Sequence, residues 1–188
     1  MSVGKLPRTL RLDPSDTFVF ERSAEPGEWA VTGSFLFFDA DLDALAGKER
    51  AAFRSGFVGV GSLGFSTLVV VSEASAAERA EAVETLARHI LERFGAPSSE
   101  AARAAAEEEI EAAASLCTLP VGSVVAMHRS ARGGEIAEEF RSLHQRAPGA
   151  DPLHGRAFHF VETDEDGPEE QADLVGLLKD ASAEAERA

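Results

Sequence analysis

The first candidates for chemistry in this chain are its five histidines: His89, His128, His144, His154 and His159. Imidazole changes charge near neutral pH and is a common metal ligand, so clustered histidines indicate acid–base chemistry or a cation site. No pair has the HExxH spacing or a comparable zinc spacing. The sequence therefore predicts a ligand-binding pocket between sheet and helices, made of His128, Arg129, His154 and His159. The alternative is that each lies at a strand end or in a loop that reaches solvent.

The sharpest spacing is an acidic run near the C-terminus. Glu162, Asp164, Asp166, Gly167, Glu170 and Asp173 occupy positions 1, 3, 5, 6, 9 and 12 of an EF-hand-like loop, whose oxygen ligands suit Ca²⁺. Glu162, Asp164, Asp166 and Asp173 are thus candidate metal ligands, although the first and last ligand types are exchanged and a strand precedes the loop. The alternative is a strand-to-helix turn in which Asp166 caps a helix that begins at Pro168.

Three glycines, Gly59, Gly61 and Gly64, match the GxGxxG pattern of dinucleotide-binding loops. In those loops a helix N-terminus faces the phosphates, whereas here the apolar run FSTLVVV follows. The sequence therefore favours a glycine-rich hairpin. Neither a GxSxG elbow nor a Walker A loop occurs in the chain, and we predict no cofactor.

A dense acidic patch lies on an alanine-rich helical stretch and includes Glu107, Glu108 and Glu111. The carboxylates suit a basic partner, and the small alanine side chains would let another helix approach closely. We expect these three glutamates to dock a protein partner. A solvated helix face is the alternative.

The N-terminal half is predicted to be mainly strands. Residues 9–12, 17–21 and 28–38 are strand-like, and Pro26-Gly27 suits a turn, so 17–38 is predicted to form a hairpin. A polar helix is expected at 41–55, broken near Gly47, and a strand pair at 57–61 and 65–73. The second strand is apolar on both faces, which is typical of a covered strand.

Two helices follow, and the first is the most strongly indicated element. Ser75 and Glu78 form a capping box, Gly95 and Pro97 stop the helix, and its apolar residues recur at helical spacing. The second helix is expected from residue 98 or 99 to 118. Later residues predict a strand at 123–128, a helix at 134–146, a strand at 156–162 and a helix at 168–185. Strands and helices come in pairs, so we predict an α+β fold, with a mainly antiparallel sheet and four to five helices packed on it.

Composition restricts the classes of function. The 188 residues are 44% hydrophobic, which suits a single domain with an acidic C-terminal helix or tail from about residue 163. The 33 acidic residues outnumber 18 basic ones, and the net charge of −15 disfavours nucleic acid and anionic membranes as partners. The single Cys117 cannot form an internal disulfide, and neither a signal peptide nor a membrane span is indicated. We expect a cytoplasmic protein.

The segments KLPRTLRLDPSDTFVFERSAEPGEWAV, GFVGVGSLGFSTLVVVSEASAAERAEAVETLARHILERFGAP and AARAAAEEEIEAAASLC together resemble a family of small proteobacterial proteins of unassigned function. The resemblance spans most of the chain and supplies no catalytic motif. It implies an association with accessory proteins of molybdenum-dependent oxidoreductases.

These observations favour a non-enzymatic accessory or interaction protein with a protein partner. A small-molecule-binding domain or enzyme with a histidine-lined pocket is the alternative. A homo-oligomeric structural module is a third possibility.

Overall fold

The computed structural model describes residues 4–133, 135–145 and 158–161. The elements within these residues are, in chain order, β1 (Gly4–Leu10), α1 (Ser15–Val19), β2 (Ala30–Val31), a 3₁₀ turn (Ser34–Phe37), α2 (Gly47–Ser55), β3 (Phe57–Gly59), β4 (Phe65–Ser66), β5 (Leu68–Ala74), α3 (Ala76–Arg93), α4 (Ser99–Ser115), β6 (Val124–Arg132), β7 (Glu135–Gln145) and β8 (Phe158–Val161).

The strands form two antiparallel sheets. The larger has the order β1-β5-β6-β7-β8, and the smaller has the order β2-β3-β4. An antiparallel bridge between Arg8 and Trp29 links β1 to the chain that leads into β2. Antiparallel sheets with four α-helices confirm the predicted α+β class.

Alternate residues of the larger sheet face a core that is shared with the smaller sheet. Val69 and Val71 of β5 cluster with Val125 and Met127 of β6 and with Phe57 of β3. The run FSTLVVV, predicted as one strand, divides at Thr67 into β4 and β5, which belong to different sheets. The predicted strand that is apolar on both faces is therefore two strands with separate surroundings. We call the side of the larger sheet that carries Val69, Val71, Val125 and Met127 the inner face.

Helices α3 and α4 follow the sequence prediction closely. The Ser75 hydroxyl accepts a hydrogen bond from the Glu78 amide (3.2 Å), and the Glu78 carboxylate accepts one from the Ser75 amide (2.9 Å), so the capping box is confirmed. The apolar stripes of both helices pack against Leu6 of β1 and against the smaller sheet. Gly95, with a φ of +67°, lies in the turn between the two helices.

The predicted hairpin at 17–38 is wrong. Residues Ser15–Val19 form α1, because the Asp16 carboxylate accepts hydrogen bonds from the Thr67 amide and hydroxyl, and also from the Ser66 hydroxyl. Gly27 does turn the chain, with a φ of +83°, but the following residues pair with Thr9 of β1. A contact to a distant strand thus overrides the local β propensity.

The predicted helix at 134–146 is also wrong, because its described residues, 135–145, form β7. Arg132 pairs with Glu135, and Gly133 beside them has the positive φ that is typical of a tight hairpin turn. Ile136, Phe140 and Leu143 happen to lie at helical spacing. In the sequence, the pair Gly133-Gly134 between two strand-compatible runs indicates a hairpin. The predicted helix at 168–185 lies outside the described residues.

Candidate functional site

Arg129 is the most unusual side chain of the described chain, because it is charged and 0% exposed. Its Nε donates to Glu138 Oε1 (2.9 Å), its Nη1 to the carbonyl of Phe53 (2.7 Å) and its Nη2 to the carbonyl of Thr32. Burial lowers the pKa of Arg129 and Glu138 opposes that shift, but a guanidinium stays protonated in proteins. One buried cation therefore joins β6 to β7, to the end of α2 and to the chain after β2.

Aromatic rings complete the surroundings of this guanidinium. Phe37 and Phe53 pack edge to face, with ring centroids 5.3 Å apart, and the Arg129 guanidinium carbon lies 5.5 Å from the first ring and 5.8 Å from the second. Gly33 brings Phe37 into place, because it has a φ of +78° and a Cβ there would lie 2.1 Å from Val58 Cγ2. The 3₁₀ turn can pass this close to β3 with glycine alone.

A second carboxylate lies in the electrostatic range of this group. Burial raises the pKa of Glu109 in α4 to about 7, and repulsion from Glu138 adds to the rise while Arg129 opposes it. Glu109 therefore changes its charge close to neutral pH, unlike an ordinary glutamate.

A cleft with a volume of about 860 Å³ opens above this buried cluster. The cleft lies between the segment that follows Gly33 and the β6–β7 hairpin. Its lining residues are Ser34, Phe37, Phe38, Ala40, Asp41, Leu42, Asp43, Ala131, Gly133, Glu135, Ile136 and Glu138. Glu138 connects the two features, because it lines the cleft and binds the buried Arg129.

The cleft combines negative charge with apolar surface. Asp41, Asp43 and Glu135 are exposed, and no ion pair within the described chain involves them. Asp41 turns the loop by accepting hydrogen bonds from the amides of Asp43 (3.2 Å) and Ala44 (3.3 Å). Phe38, beside the buried Phe37, is 70% exposed. This arrangement suits a ligand that is positively charged and partly apolar.

The three glutamates predicted to dock a partner line a different surface, a groove of about 620 Å³ between α3 and α4. Two of them already have partners within the chain: Glu111 pairs with Arg79, and Glu107 pairs with Arg103 (3.1 Å). Glu108 also lines this groove. The acidic patch is thus partly neutralised by arginines of its own helix pair.

The structure does not bring His128 and Arg129 to the same side of the sheet. They are neighbours on β6, so their side chains point to opposite faces. His128 is half-buried and lies in register with Glu139, whereas Arg129 is on the inner face. The backbone of His159 pairs with that of His144 between β8 and β7. His154 lies outside the described residues.

The GxGxxG run forms the predicted glycine-rich hairpin and holds a carboxylate of the same chain. Glu28 accepts hydrogen bonds from the amides of Gly61 (2.7 Å) and Ser62 (2.8 Å) and from the Ser62 hydroxyl. A Cβ on Gly59 would lie 2.2 Å from this carboxylate. The amides therefore form an anion-binding nest that is already occupied.

The candidate calcium ligands Glu162, Asp164, Asp166 and Asp173 lie outside the described residues. Within the described part of the chain, no group of three or more His, Cys, Asp or Glu side chains is arranged to hold a metal ion. The helices of the described residues also lack an apolar stretch of the length that a membrane span needs.

Sequence reasoning singled out Arg129 but missed its partners. Phe37, Phe53 and Glu138 come from segments whose secondary structure was predicted incorrectly or only in part. Arg129 itself gave a local signal, because a charged residue beside an apolar strand run needs a counter-charge when it is buried.

Comparison with known proteins places the chain in a family. Residues 3–164 match the family of unknown function DUF6505, and the chain belongs to that family. No curated protein and no solved structure matches the chain.

Proposed function

We propose that this member of the DUF6505 family is a non-enzymatic interaction protein that binds a basic, partly apolar segment of a partner protein in the cleft beside Phe38. The observation that carries the proposal is the combination of three exposed carboxylates, on Asp41, Asp43 and Glu135, which form no ion pair among the described residues, with an exposed phenylalanine in one cleft of about 860 Å³.

The chemistry of the lining determines the class of ligand. Carboxylates without counter-ions attract lysine or arginine, and the negative charge of the whole chain accelerates the approach of a cation. An exposed aromatic ring beside them provides the apolar contact that dominates most protein interfaces. A lysine- or arginine-containing segment with an apolar side chain satisfies both requirements.

The floor of the cleft is suited to binding without rearrangement. Glu138 is held by Arg129, and Arg129 is held by two main-chain carbonyls from other elements. A rigid floor reduces the entropy that is lost on association. We therefore assign recognition to the two walls and preorganisation to the buried arginine.

The cleft is a better candidate than the groove between α3 and α4. In that groove Glu107 and Glu111 already pair with arginines of the same helices, so a basic partner would have to displace them. The family that the sequence resembles implies an association with accessory proteins of molybdenum-dependent oxidoreductases, so these accessory proteins are the first partners to test.

The test compares partner capture by matched surface variants. The full chain and its Phe38→Ser and Asp43→Asn/Glu135→Gln variants are used as bait, and bound segments are mapped by cross-linking. Loss of an interface aromatic or of two rim charges typically costs about 1–2 kcal/mol, so we expect about 5- to 30-fold weaker binding. The mapped segment should be rich in lysine or arginine.

Phe18→Ser is the matched control for the aromatic substitution, because Phe18 on α1 is 73% exposed and does not line the cleft. Glu81→Gln on α3 is the control for charge, since Glu81 is exposed and forms no ion pair in the described chain. Equal capture by the cleft variants and the controls would refute the proposal.

A further inference from the structure

A second, smaller cavity lies next to the cleft and shares part of its lining. Its volume is about 240 Å³, and Phe37 and Ala40 line both cavities. Four further apolar residues come from the 3₁₀ turn, the loop before α2, α2 itself and β4, and these are Leu36, Leu45, Ala52 and Phe65. We call this cavity the apolar pocket.

The apolar pocket keeps hydrophobic surface accessible at the edge of the core. Leu36, Leu45 and Phe65 belong to the periphery of the hydrophobic cluster that contains Phe37, and they are only half-buried. The Phe65 ring packs against two other rings, with centroids 5.7 Å from Phe20 and 6.2 Å from Phe37. Because its aromatic walls are held by neighbouring rings, we expect the pocket to keep its shape without an occupant.

The size of the pocket fits one bulky apolar side chain. An apolar cavity of about 150 Å³ is already large enough for benzene. The larger volume here therefore accommodates the side chain of a phenylalanine or a leucine.

The mouth of the pocket is charged. Glu21, Lys48 and Glu49 line it, are exposed and form no ion pair in the described part of the chain. The two glutamates extend the acidic rim of the neighbouring cleft, so they favour the same basic partner. The aliphatic stem of Lys48 can cover an apolar occupant while its ammonium group stays in water.

The cleft and the pocket are close enough for one segment to fill both. Both cavities reach Ala40, whose side chain is a single methyl group, so their near ends lie on either side of that residue. An extended peptide advances about 3.3 Å per residue, so side chains two to four positions apart are separated by about 7–13 Å. A partner segment that passes over Ala40 thus has one side chain for each cavity.

We propose that the apolar pocket is the anchor site for a leucine or phenylalanine of the same partner segment whose basic residue binds in the cleft, two to four positions away along that segment. This inference rests on the proposed function and adds the second half of the recognition motif. Phe37 joins the two halves, because its ring lines both cavities and lies 5.5 Å from the buried guanidinium of Arg129.

Methyl NMR of the full chain tests the pocket separately from the cleft. The probe is N-acetyl-phenylalanine methylamide, which has an apolar side chain and no charge. We expect it to shift the methyl resonances of Leu36, Leu45 and Ala52. Those of Leu91 should not move, since Leu91 on α3 is 40% exposed and lines neither cavity. No shift, or equal shifts at Leu91, would overturn the proposal, including the case in which another part of this chain or a second copy fills the pocket.

Two peptides test whether the pocket and the cleft act together. The first is Ac-Ser-Lys-Gly-Phe-Ser-amide, and the second has serine in place of phenylalanine. Burial of a phenylalanine side chain typically strengthens binding by a factor of about 10 or more, so the second peptide should bind at least about 10-fold more weakly. Equal affinities, or binding of neither peptide, would overturn the proposal.

The variant Leu45→Asp separates this proposal from the proposed function. A charge in the pocket should weaken binding of the phenylalanine peptide by about 10-fold and leave the serine peptide unaffected, whereas a folding defect would weaken both. Leu91→Asp is the matched control and should change neither, while Phe38→Ser in the cleft should weaken both. Weakening by Phe38→Ser with no effect of Leu45→Asp would overturn the anchor site and leave the cleft function standing. The reverse pattern would refute the proposed function and, with it, the shared segment.

Discussion

Replacing Arg129 with methionine tests whether one buried guanidinium holds the floor of the cleft together. Methionine is apolar and of similar length, so the substitution fills most of the space while it removes the charge and its hydrogen bonds. The carbonyls of Phe53 and Thr32 then lose their guanidinium donor, and Glu138 loses its counter-ion.

The magnitude follows from these three losses. Each buried acceptor without a partner costs about 1–3 kcal/mol, and removal of one member of a buried ion pair costs about 3–5 kcal/mol in total. Glu138 is partly exposed, with 21% of its side-chain surface accessible, so water offsets some of its loss. We expect Arg129→Met to lower the free energy of unfolding by about 3–5 kcal/mol. This is a large fraction of the total free energy of unfolding of a typical domain, which is roughly 5–15 kcal/mol.

Urea unfolding, followed by far-UV circular dichroism and by the fluorescence of Trp29, measures this change. Arg129→Lys should lose about 2–3 kcal/mol, because an ammonium cannot reach all three acceptors with the geometry of a guanidinium. Arg88→Met is the matched control, since Arg88 is exposed on α3 and has no ion pair in the described chain; it should change stability by less than about 0.5 kcal/mol.

Two results would refute the reasoning. One is an Arg129→Met variant as stable as the Arg88→Met control. The other is a lysine variant as stable as wild type, because that would mean that charge alone, and not the three-way geometry, stabilises the site.

Three further predictions concern single groups. The pKa of Glu109 rises from 4.5 to about 7 on folding, so the native state binds this proton more tightly than the unfolded state. The free energy of unfolding should therefore fall by up to about 3 kcal/mol as the pH rises from 4.5 to 7. Glu109→Gln should remove that fall in urea titrations at several pH values, and an unchanged pH profile would contradict the prediction. Glu28→Ala leaves the amides of the glycine hairpin without an acceptor and should cost about 2–3 kcal/mol in the same assay, with Glu28→Gln costing less; equal losses would argue against a role for the charge. Burial raises the pKa of the Cys117 thiol to about 11, so a thiol reagent at pH 8 should react with the chain only after unfolding; rapid reaction of the folded chain would show that the thiol is accessible.

Elements that depend on short-range signals were predicted well from the sequence. The α3 helix has its cap, its stop and its apolar stripe within about 20 residues, and the structure reproduces all three. The glycine run was correctly interpreted as a hairpin, because the residues after it indicate a strand. Its interaction with Glu28 was not predicted, since the carboxylate comes from a separate part of the chain.

Elements whose conformation depends on distant contacts were predicted poorly. Residues 17–21 have β propensity but become part of α1 and its flank, because Asp16 bonds to the β4–β5 junction. The apolar residues of the helix predicted at 134–146 have helical spacing, but residues 135–143 pair with β6. In both cases the free energy of the long-range contact exceeds the intrinsic local preference, which is roughly a few tenths of a kcal/mol per residue.

The sequence by itself determined the α+β class, the α3–α4 pair and the strongly acidic composition, since these depend on residue type and on spacing along the chain. Only the tertiary structure decided where that acidity can act. Glu107 and Glu111 are paired by neighbouring arginines, while Asp41, Asp43 and Glu135 line the cleft beside Phe38 and form no ion pair in the part of the chain that the structure describes. Arg129 was visible in the sequence as a charge that follows an apolar run. Its role as the buried link between four segments depends on carbonyls and a carboxylate up to 97 positions away, which no local pattern can specify.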